Sequence, residues 1–299
     1  DMQETQRVHA KSTRTGNSQG VLPRLKRWWW RAGRWFDVRP WRYLAGLFTA
    51  VLCVVILCLP SAYVVQGPGP TQNVLGAVDG KQVISVSGVK TYKDSGELLL
   101  VTVNASGVPG YPVSNAQALL EWANPKSTVL PQEAVFPVGQ SAKDYKKESN
   151  KEMASSQDAA TAAARKFLKS HGSDVSGMKV TMHVDDIGGP SAGMMYTLGL
   201  IDKVSGEKLS GGKTIAGTGT MNAKGEVGAI GGIRLKMIGA KRDGATWFLA
   251  PESNCSDVVG HVPQGLHVVK VGTLDEAYKA LVAIRDGKGG SLPKCVAGK

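Results

Sequence analysis

An uncharged apolar run near the start of the chain is the strongest hydrophobic pattern in the sequence. It extends from Tyr43 to Val65, which is 23 residues without Asp, Glu, Lys or Arg. A helix of about 20 apolar residues can cross a bilayer, and the preceding stretch interleaves Arg with Trp, as is common at a lipid–water boundary. The pattern predicts an uncleaved single-pass membrane helix.

Two alternative readings of this run are less favoured. A cleaved signal peptide would have an apolar region of about 7–15 residues and a shorter basic leader. A lipoprotein anchor at Cys53 or Cys58 is disfavoured because a large leucine precedes each cysteine.

Shorter patterns follow the apolar run. The Pro/Gly-rich stretch Gln66–Pro70 predicts a linker, and alternating patterns over 81–88 and 96–105 predict two strands. Five prolines between residues 107 and 147 predict irregular structure. Helical periodicity over 155–172 predicts a helix whose first turn is capped by Ser155 and Asp158.

From residue 177 onward, strand and helix patterns alternate, which predicts a compact mixed domain of helices and strands. The predicted strands are 178–184, 212–221, 245–251 and 266–271, and the predicted helices are 191–204, 233–244 and 273–287.

Positive charge is concentrated at the N-terminus. The first 42 residues hold ten Lys or Arg and three Asp or Glu, which is more than half of the formal net charge of +12. Such charge stays on the cytoplasmic side of a membrane helix, so everything after the helix is predicted to be extracytoplasmic. A nucleic-acid-binding protein would carry its basic residues on a folded domain, so nucleic acid is not a predicted partner.

The four cysteines fall into two groups. Cys53 and Cys58 lie inside the apolar run and are predicted to be apolar filler. Cys255 and Cys295 would lie in an oxidising compartment, where a disulfide is permitted, and their spacing leaves the pairing open. The five histidines match no zinc-binding spacing, so no metal or other cofactor is predicted.

A serine set among glycines begins the predicted helix 191–204. Residues Gly189–Gly193 read GPSAG and fit the G-x-S-x-G pattern, which suits a tight turn that presents a hydroxyl beside free backbone N–H groups. An α/β-hydrolase would need several strands before this turn and an Asp and a His after it. Only 108 residues follow Ser191, which disfavours that fold.

A lysine can replace histidine as the base when the lysine is neutral at the working pH. Lys236 is the best placed candidate, because the apolar face of its predicted helix would bury it and burial lowers the pKa of a lysine. Lys241 and Arg242 lie toward the solvated end of the same helix. Most helical lysines are simply solvated, so this pattern alone leaves the role of Lys236 open.

Three stretches in a fixed order carry a family resemblance. They are DDIGGPSAGMM, GGKTIAGTGTMNAKGEVGAIGGIRLKMIGAKRDGATWFLAP and VGTLDEAYKAL. Over roughly Lys179 to Ala283 the chain resembles the proteolytic domain of the Lon family, and more narrowly the membrane-anchored Lon-like proteases of Gram-positive bacteria. The resemblance implies an α+β Lon proteolytic-domain fold after a single transmembrane helix.

The resemblance also implies roles for individual residues. The family's nucleophile falls on Ser191, its base on Lys236, and the threonine that hydrogen-bonds the lysine on Thr218. Lys236 would take the Ser191 proton while the hydroxyl attacks a peptide carbonyl, and the backbone N–H groups of Gly189 and Ser191 would hold the oxyanion. Lon-like protease domains commonly form hexamers, so a homo-oligomer is also implied.

The sequence departs from the family pattern in three ways. Gly188 stands where Lon proteins often carry Asp, with Asp185 and Asp186 displaced upstream. Full Lon enzymes carry an ATPase module; none is expected here, so the implied proteolysis is ATP-independent. Only about ten residues separate the predicted helix 155–172 from the next strand, where the membrane subfamily usually inserts a PDZ domain, so a variant without that domain is implied.

Together these inferences predict a membrane-tethered serine endopeptidase that acts on extracytoplasmic polypeptides through Ser191 and Lys236. The alternative is a catalytically silent Lon-fold protein that binds or scaffolds other proteins of the cell envelope. The predicted organisation is a basic cytoplasmic tail (1–42), a transmembrane helix (43–65), an extracytoplasmic linker or small β-containing region (66–150) and a Lon-like protease domain with a C-terminal tail (151–299).

Overall fold

The computed structural model describes residues 40–183 and 189–296 of the chain. These residues fall into two compact units, one ending at Cys58 and the other beginning at Leu59. Most of the predicted basic tail lies outside the described residues, and so do Asp185, Asp186 and Gly188.

The described part of the first unit contains helix α1 (Trp41–Cys58), none of whose side chains is buried. By length and composition this helix can cross a membrane. The sequence predicted a helix that continues to Val65, whereas α1 ends at Cys58. Pro60 disfavours the helical conformation at the residue before it, and Val65 is buried in the second unit.

A six-stranded sheet organises the second unit. Its strands are β1 (Tyr63–Asn73), β5 (Glu97–Ser106), β6 (Thr128–Pro131), β8 (Thr214–Gly217), β11 (Trp247–Pro251) and β12 (His267–Val271). The strand order is β12-β11-β8-β5-β1-β6. Neighbours from β5 to β12 are parallel, whereas β1 is antiparallel to both β5 and β6.

Shorter strands form antiparallel pairs beside this sheet. They are β2 (Ala77–Val78) with β3 (Lys81–Gln82), β4 (Ile84–Ser87) with β7 (Lys179–Met182), and β9 (Thr220–Met221) with β10 (Val227–Gly228).

The predicted linker Gln66–Pro70 is wrong, because these residues lie inside β1. β6 pairs with β1 only as far as Gln66, so the prolines occupy a part of β1 that has β5 on one side only, where proline is tolerated. The register with β5 shifts between Pro68 and Thr71, which accommodates the prolines without ending the strand.

The prediction of irregular structure over 107–147 is also wrong in part. The segment contains α2 (Asn115–Trp122), β6 and α3 (Gln132–Val135). These elements are short and separated by turns, so none of them produces a long periodic pattern.

Helix α4 (Ala142–Ser170) begins earlier than predicted. Ser141 caps it, and the Ser141 hydroxyl accepts a hydrogen bond from a backbone N–H of the first turn. The predicted cap at Ser155 and Asp158 is therefore wrong. The first turns of α4 are polar, and the first buried residue is Met153, so the apolar periodicity on which the prediction rested starts in the middle of the helix.

Residues on both sides of position 150 build the same unit. β1, β5 and β6 precede that position and β8, β11 and β12 follow it, yet all six share one sheet. The predicted boundary between 66–150 and 151–299 falls inside α4. Residues from Leu59 onward form one compact unit.

Alternating residues of the central strands face two separate cores. Leu98 and Leu100 of β5 belong to the larger core, whereas Leu99 and Val101 belong to the second core. The helices of the larger core are α4, α5 (Gly193–Ser205) and α8 (Leu274–Arg285), and those of the second core are α6 (Ile233–Arg242) and α7 (Cys255–Val258). This arrangement confirms the predicted α+β class.

Apart from Val184, the end of the predicted strand 178–184, which lies outside the described residues, the strands and helices predicted after residue 177 are confirmed, with one difference. The predicted strand 212–221 is divided into β8 and β9, and the break falls at Thr218 and Gly219. Both residues of this break hydrogen-bond to the turn that carries Ser191.

Candidate active site

The turn that carries Ser191 requires glycine at two positions. Gly189 has φ of 89° and ψ of 158°, a conformation that is essentially restricted to glycine. At Gly193, a Cβ atom would lie 2.9 Å from the Met221 backbone nitrogen. Pro190 begins a 3₁₀ turn that leads directly into α5. Ser191 therefore lies at the N-terminal end of a helix, where backbone N–H groups lack partners within the helix.

Hydrogen bonds from distant segments fix this turn. Ser156 of α4 donates from its hydroxyl to the Pro190 carbonyl at 3.1 Å. The Ser191 carbonyl accepts from the Gly219 N–H at 2.9 Å and from Thr218 Oγ1 at 3.1 Å. Because these donors come from α4 and from the break between β8 and β9, residues adjacent in the sequence do not by themselves place Ser191.

Lys236 approaches Ser191 from the other side of the sheet. It lies on α6, which packs in the second core through Ile233 and Met237, and it is only 4% exposed. Its Nζ lies 2.8 Å from Ser191 Oγ and 3.2 Å from Thr218 Oγ1. α5 and α6 belong to opposite faces, so the two side chains meet at the end of β8, where Thr218 contacts both residues.

Burial changes the protonation of Lys236. Removal from water disfavours the ammonium form and lowers the pKa of Lys236 from 10.5 to about 8. Near neutral pH part of the amine is uncharged, and an uncharged amine can accept the Ser191 hydroxyl proton.

Thr218 orients the amine. Its hydroxyl accepts a hydrogen bond from Lys236 Nζ and donates one to the Ser191 carbonyl. The structure thus brings Ser191, Lys236 and Thr218 into one site.

An open groove of about 540 Å³ leads to Ser191 and Lys236. Its walls include Val101–Ala105 of β5 and Tyr145 of α4, and Gly189 also lines it. The sequence analysis did not identify the residues from β5 and α4, because their patterns are those of an ordinary strand and helix. Only the folding of both elements around the serine turn gives these residues a place in the site.

The backbone of β5 is partly unpaired at this groove. β8 pairs with β5 only over Glu97–Leu100, whereas β1 pairs with the other side of β5 as far as Ser106. Within the described residues, the β8 side of Val101–Ala105 therefore has no strand partner.

Cys255 and Cys295 form a disulfide, with their Cα atoms 5.0 Å apart. Cys255 begins α7, and Cys295 packs against the second core, so the bond ties the C-terminal segment to the folded unit. Neither cysteine lines the groove. Within residues 40–183 and 189–296, no group of three or more His, Cys, Asp or Glu side chains could hold a metal ion.

Comparisons with known proteins match the region that holds this site. A family model described as the Lon protease (S16) C-terminal proteolytic domain matches residues 113–283, more than half of the 299 residues. The chain is 33% identical over 94 residues to Lon protease of Lachnoclostridium phytofermentans, which is 30% of this chain and 11% of that protein. It is 36% identical over 100 residues to Lon protease 1 of Sorangium cellulosum, which is 32% of this chain and 12% of that protein.

A similar match links the chain to Lon protease 1 of Bacillus subtilis, with 34% identity over 94 residues, 30% of this chain and 12% of that protein. The chain thus spans about a tenth of the length of these curated relatives.

Proposed function

Because the chain belongs to the family of Lon protease (S16) C-terminal proteolytic domains, a family of serine peptidases, we propose that it is a membrane-tethered, ATP-independent serine endopeptidase. The observation that carries the proposal is the 2.8 Å separation of Lys236 Nζ and Ser191 Oγ at a buried site. In this proposal Ser191 and Lys236 form the catalytic dyad, and Thr218 orients the lysine.

The reaction begins with the neutral amine of Lys236. It takes the proton of Ser191 Oγ as that oxygen attacks the carbonyl carbon of a peptide bond. The backbone N–H groups of Gly189 and Ser191 stabilise the negative charge that develops on the carbonyl oxygen. The Lys236 ammonium then gives its proton to the leaving amine, the C–N bond breaks and an acyl-enzyme remains. Water, deprotonated by Lys236, hydrolyses the ester and restores the Ser191 hydroxyl.

The groove favours an extended polypeptide as the substrate. The unpaired backbone of Val101–Ala105 can accept a further strand through main-chain hydrogen bonds, which hold any extended sequence in the same way. A peptide bound along this edge passes Ser191, which lines the same groove. The proposed substrates are therefore unstructured segments of proteins on the same side of the membrane.

Several features support the tether and its orientation. α1 can cross a membrane by length and composition, and the basic residues before it favour a cytoplasmic N-terminus. The Cys255–Cys295 disulfide is typical of oxidising compartments outside the cytoplasm. The residues before Lys213 and Thr214 do not match a phosphate-binding loop, because Glu207 stands where such a loop requires glycine.

The test is cleavage of unfolded casein by the full chain in detergent micelles. Ser191→Ala and Lys236→Ala should each abolish cleavage, whereas Lys241→Ala, on the same helix, should cleave as the wild type does. Equal cleavage by all variants would overturn the proposal. A serine-reactive fluorophosphonate should label the wild type and not Ser191→Ala; absence of labelling together with absence of cleavage would favour a silent binding or scaffold protein.

A further inference from the structure

Helix α2 exposes its largest apolar side chains. Leu119, Leu120 and Trp122 are 55%, 74% and 77% exposed, whereas its buried residue is the small Ala118. Ala118 packs in a minor core with Val65. Surface helices normally turn their large apolar residues toward the core, and adjoining exposed apolar residues mark an interaction site.

The exposed apolar residues share one side of α2. At 3.6 residues per turn, Trp122, Leu119 and Leu120 lie within an arc of about 160°. The polar residues Gln117 and Glu121 lie outside this arc. We call Leu119, Leu120 and Trp122 the α2 apolar face.

Helix α2 is hydrogen-bonded to the segment that directly follows α1. The Asn115 N–H, at the start of α2, donates to the Leu59 carbonyl at 3.0 Å, and the Ser61 N–H donates to the Val113 carbonyl at 2.7 Å. Leu59 is the residue after the last residue of α1. α2 has eight residues and is therefore about 12 Å long, so the α2 apolar face is close to Leu59.

The length of α1 defines where Leu59 lies if α1 crosses a bilayer. Its 18 residues span about 27 Å, slightly less than the hydrocarbon thickness of about 30 Å. A span of this length leaves no helical spacer outside the hydrocarbon and keeps the flanking residues at the boundary. Leu and Trp side chains at that depth are stabilised by burial in the boundary layer, with Trp favoured at the headgroup level.

We propose that the α2 apolar face inserts into the lipid–water boundary and holds the folded unit against the membrane as a second attachment in addition to α1. This inference rests on the membrane tether of the proposed function and is independent of the Ser191–Lys236 dyad. Lipid is favoured over a second copy of the chain because the N-terminal end of α2 is hydrogen-bonded to Leu59, the residue that follows α1. The exposed Lys126, in the turn after α2, also suits anionic headgroups.

The test places a nitroxide spin label on α2 of the full chain in vesicles of phosphatidylcholine with a minority of phosphatidylglycerol. Cys53→Ala and Cys58→Ala remove the free thiols, and Leu120→Cys receives the label. Gln117→Cys on the same helix is the matched control outside the apolar face, and Val54→Cys in α1 reports the span. Collision rates with oxygen, which concentrates in lipid, and with a water-soluble nickel chelate are compared at each position.

The label at position 120 should collide several-fold more with oxygen than with the nickel chelate, whereas the label at 117 should show the reverse. A label at 120 as accessible to the chelate as that at 117 would overturn the proposal. Shielding of position 120 from both reagents, with dipolar broadening between labels, would overturn it in favour of a second copy. A label at 54 that is open to the chelate would show that the tether is absent and would overturn this proposal as well, while the casein assay would test the dyad separately.

Discussion

The two ends of helix α6 place the same residue type in opposite surroundings. Lys236 is 4% exposed and donates hydrogen bonds to Ser191 Oγ and Thr218 Oγ1. Lys241, in the last turn, is partly exposed and donates to the Gly265 carbonyl. Both are helical lysines in a basic stretch, so neither residue type nor secondary structure distinguishes them.

The fold around a lysine, and not the residue type, therefore makes it reactive. Five residues on a helix correspond to a rotation of about 140° between the two side chains. One lysine is thereby directed into the groove between α6 and the Ser191 turn, and the other toward the protein surface. Loss of water around Lys236 lowers its pKa to about 8.

The largest effect is expected when each lysine is replaced by a residue that keeps the positive charge but cannot lose a proton. Lys236→Arg should lower kcat/KM for casein by about 10³-fold or more, because an arginine is not deprotonated in proteins and cannot act as the base. Lys241→Arg, the matched control, should retain full activity. Substantial activity in Lys236→Arg would show that the buried lysine is not the base.

The pH dependence of kcat/KM should reflect the protonation of Lys236 and not that of Lys241. The base form is the neutral amine, so kcat/KM should rise with pH and level off above an apparent pKa of about 8. Between pH 8 and pH 6 it should fall about 50-fold, approaching tenfold per unit only well below the apparent pKa. A pH–rate profile of Lys241→Met should keep the same apparent pKa. A limb that rises only near 10.5, the ordinary lysine value, would contradict the shielding.

Loss of the contact between Thr218 and Lys236 should lower the activity without abolishing it. Thr218→Val keeps the shape of the side chain but loses the hydroxyl that accepts from Lys236 Nζ and donates to the Ser191 carbonyl. We expect kcat to fall about 10- to 100-fold as the amine loses its orientation. Thr218→Ser should restore most of the activity in the same assay. If Thr218→Val were fully active, the hydroxyl would have no positioning role.

Replacement of Lys236, which should lower activity, should raise the stability of the folded chain. Below pH 8 folding must either bury the charged Lys236 or strip its proton, so Lys236→Met should raise the free energy of unfolding at pH 7 by about 1–3 kcal/mol. Lys241→Met should change it by less than about 0.5 kcal/mol. Urea denaturation of the full chain in detergent, followed by circular dichroism, measures both values.

The pH dependence of this gain has a definite sign. Between the folded pKa of about 8 and the ordinary value of 10.5, the unfolded chain binds more protons than the folded chain, so the stability of the wild type rises with pH in that window. The advantage of Lys236→Met should therefore shrink as the pH rises. An advantage that grew with pH would contradict the lowered pKa.

The parts of the fold that the sequence predicted well have strong local periodicity. α5, α8 and β12 carry apolar residues at helix or strand spacing, and each lies where the pattern placed it. The first turns of α4 and the Pro-rich part of β1 have no such periodicity. The first turns of α4 are polar and are capped by Ser141, and pairing with β5 stabilises the Pro-rich part of β1. Those elements were predicted wrongly.

The sequence likewise predicted one part of the candidate site and missed another. Motifs around Ser191, Thr218 and Lys236 identified the polar atoms that meet, whereas the walls of the groove in β5 and α4 carry no motif. A wall needs only shape and an unpaired backbone, and many sequences supply both.

Features that depend on neighbouring residues follow from the amino-acid sequence alone. The glycines around Ser191 fix a turn that other residues cannot adopt, the uncharged run fixes an apolar helix, and alternation fixes the two faces of β5. Ser191 and Lys236 are 45 residues apart, and it is the packing of distant elements that brings them together from opposite faces of a sheet at the end of β8. The same holds for the lowered pKa of Lys236, because exclusion of water arises from side chains packed together from many parts of the chain.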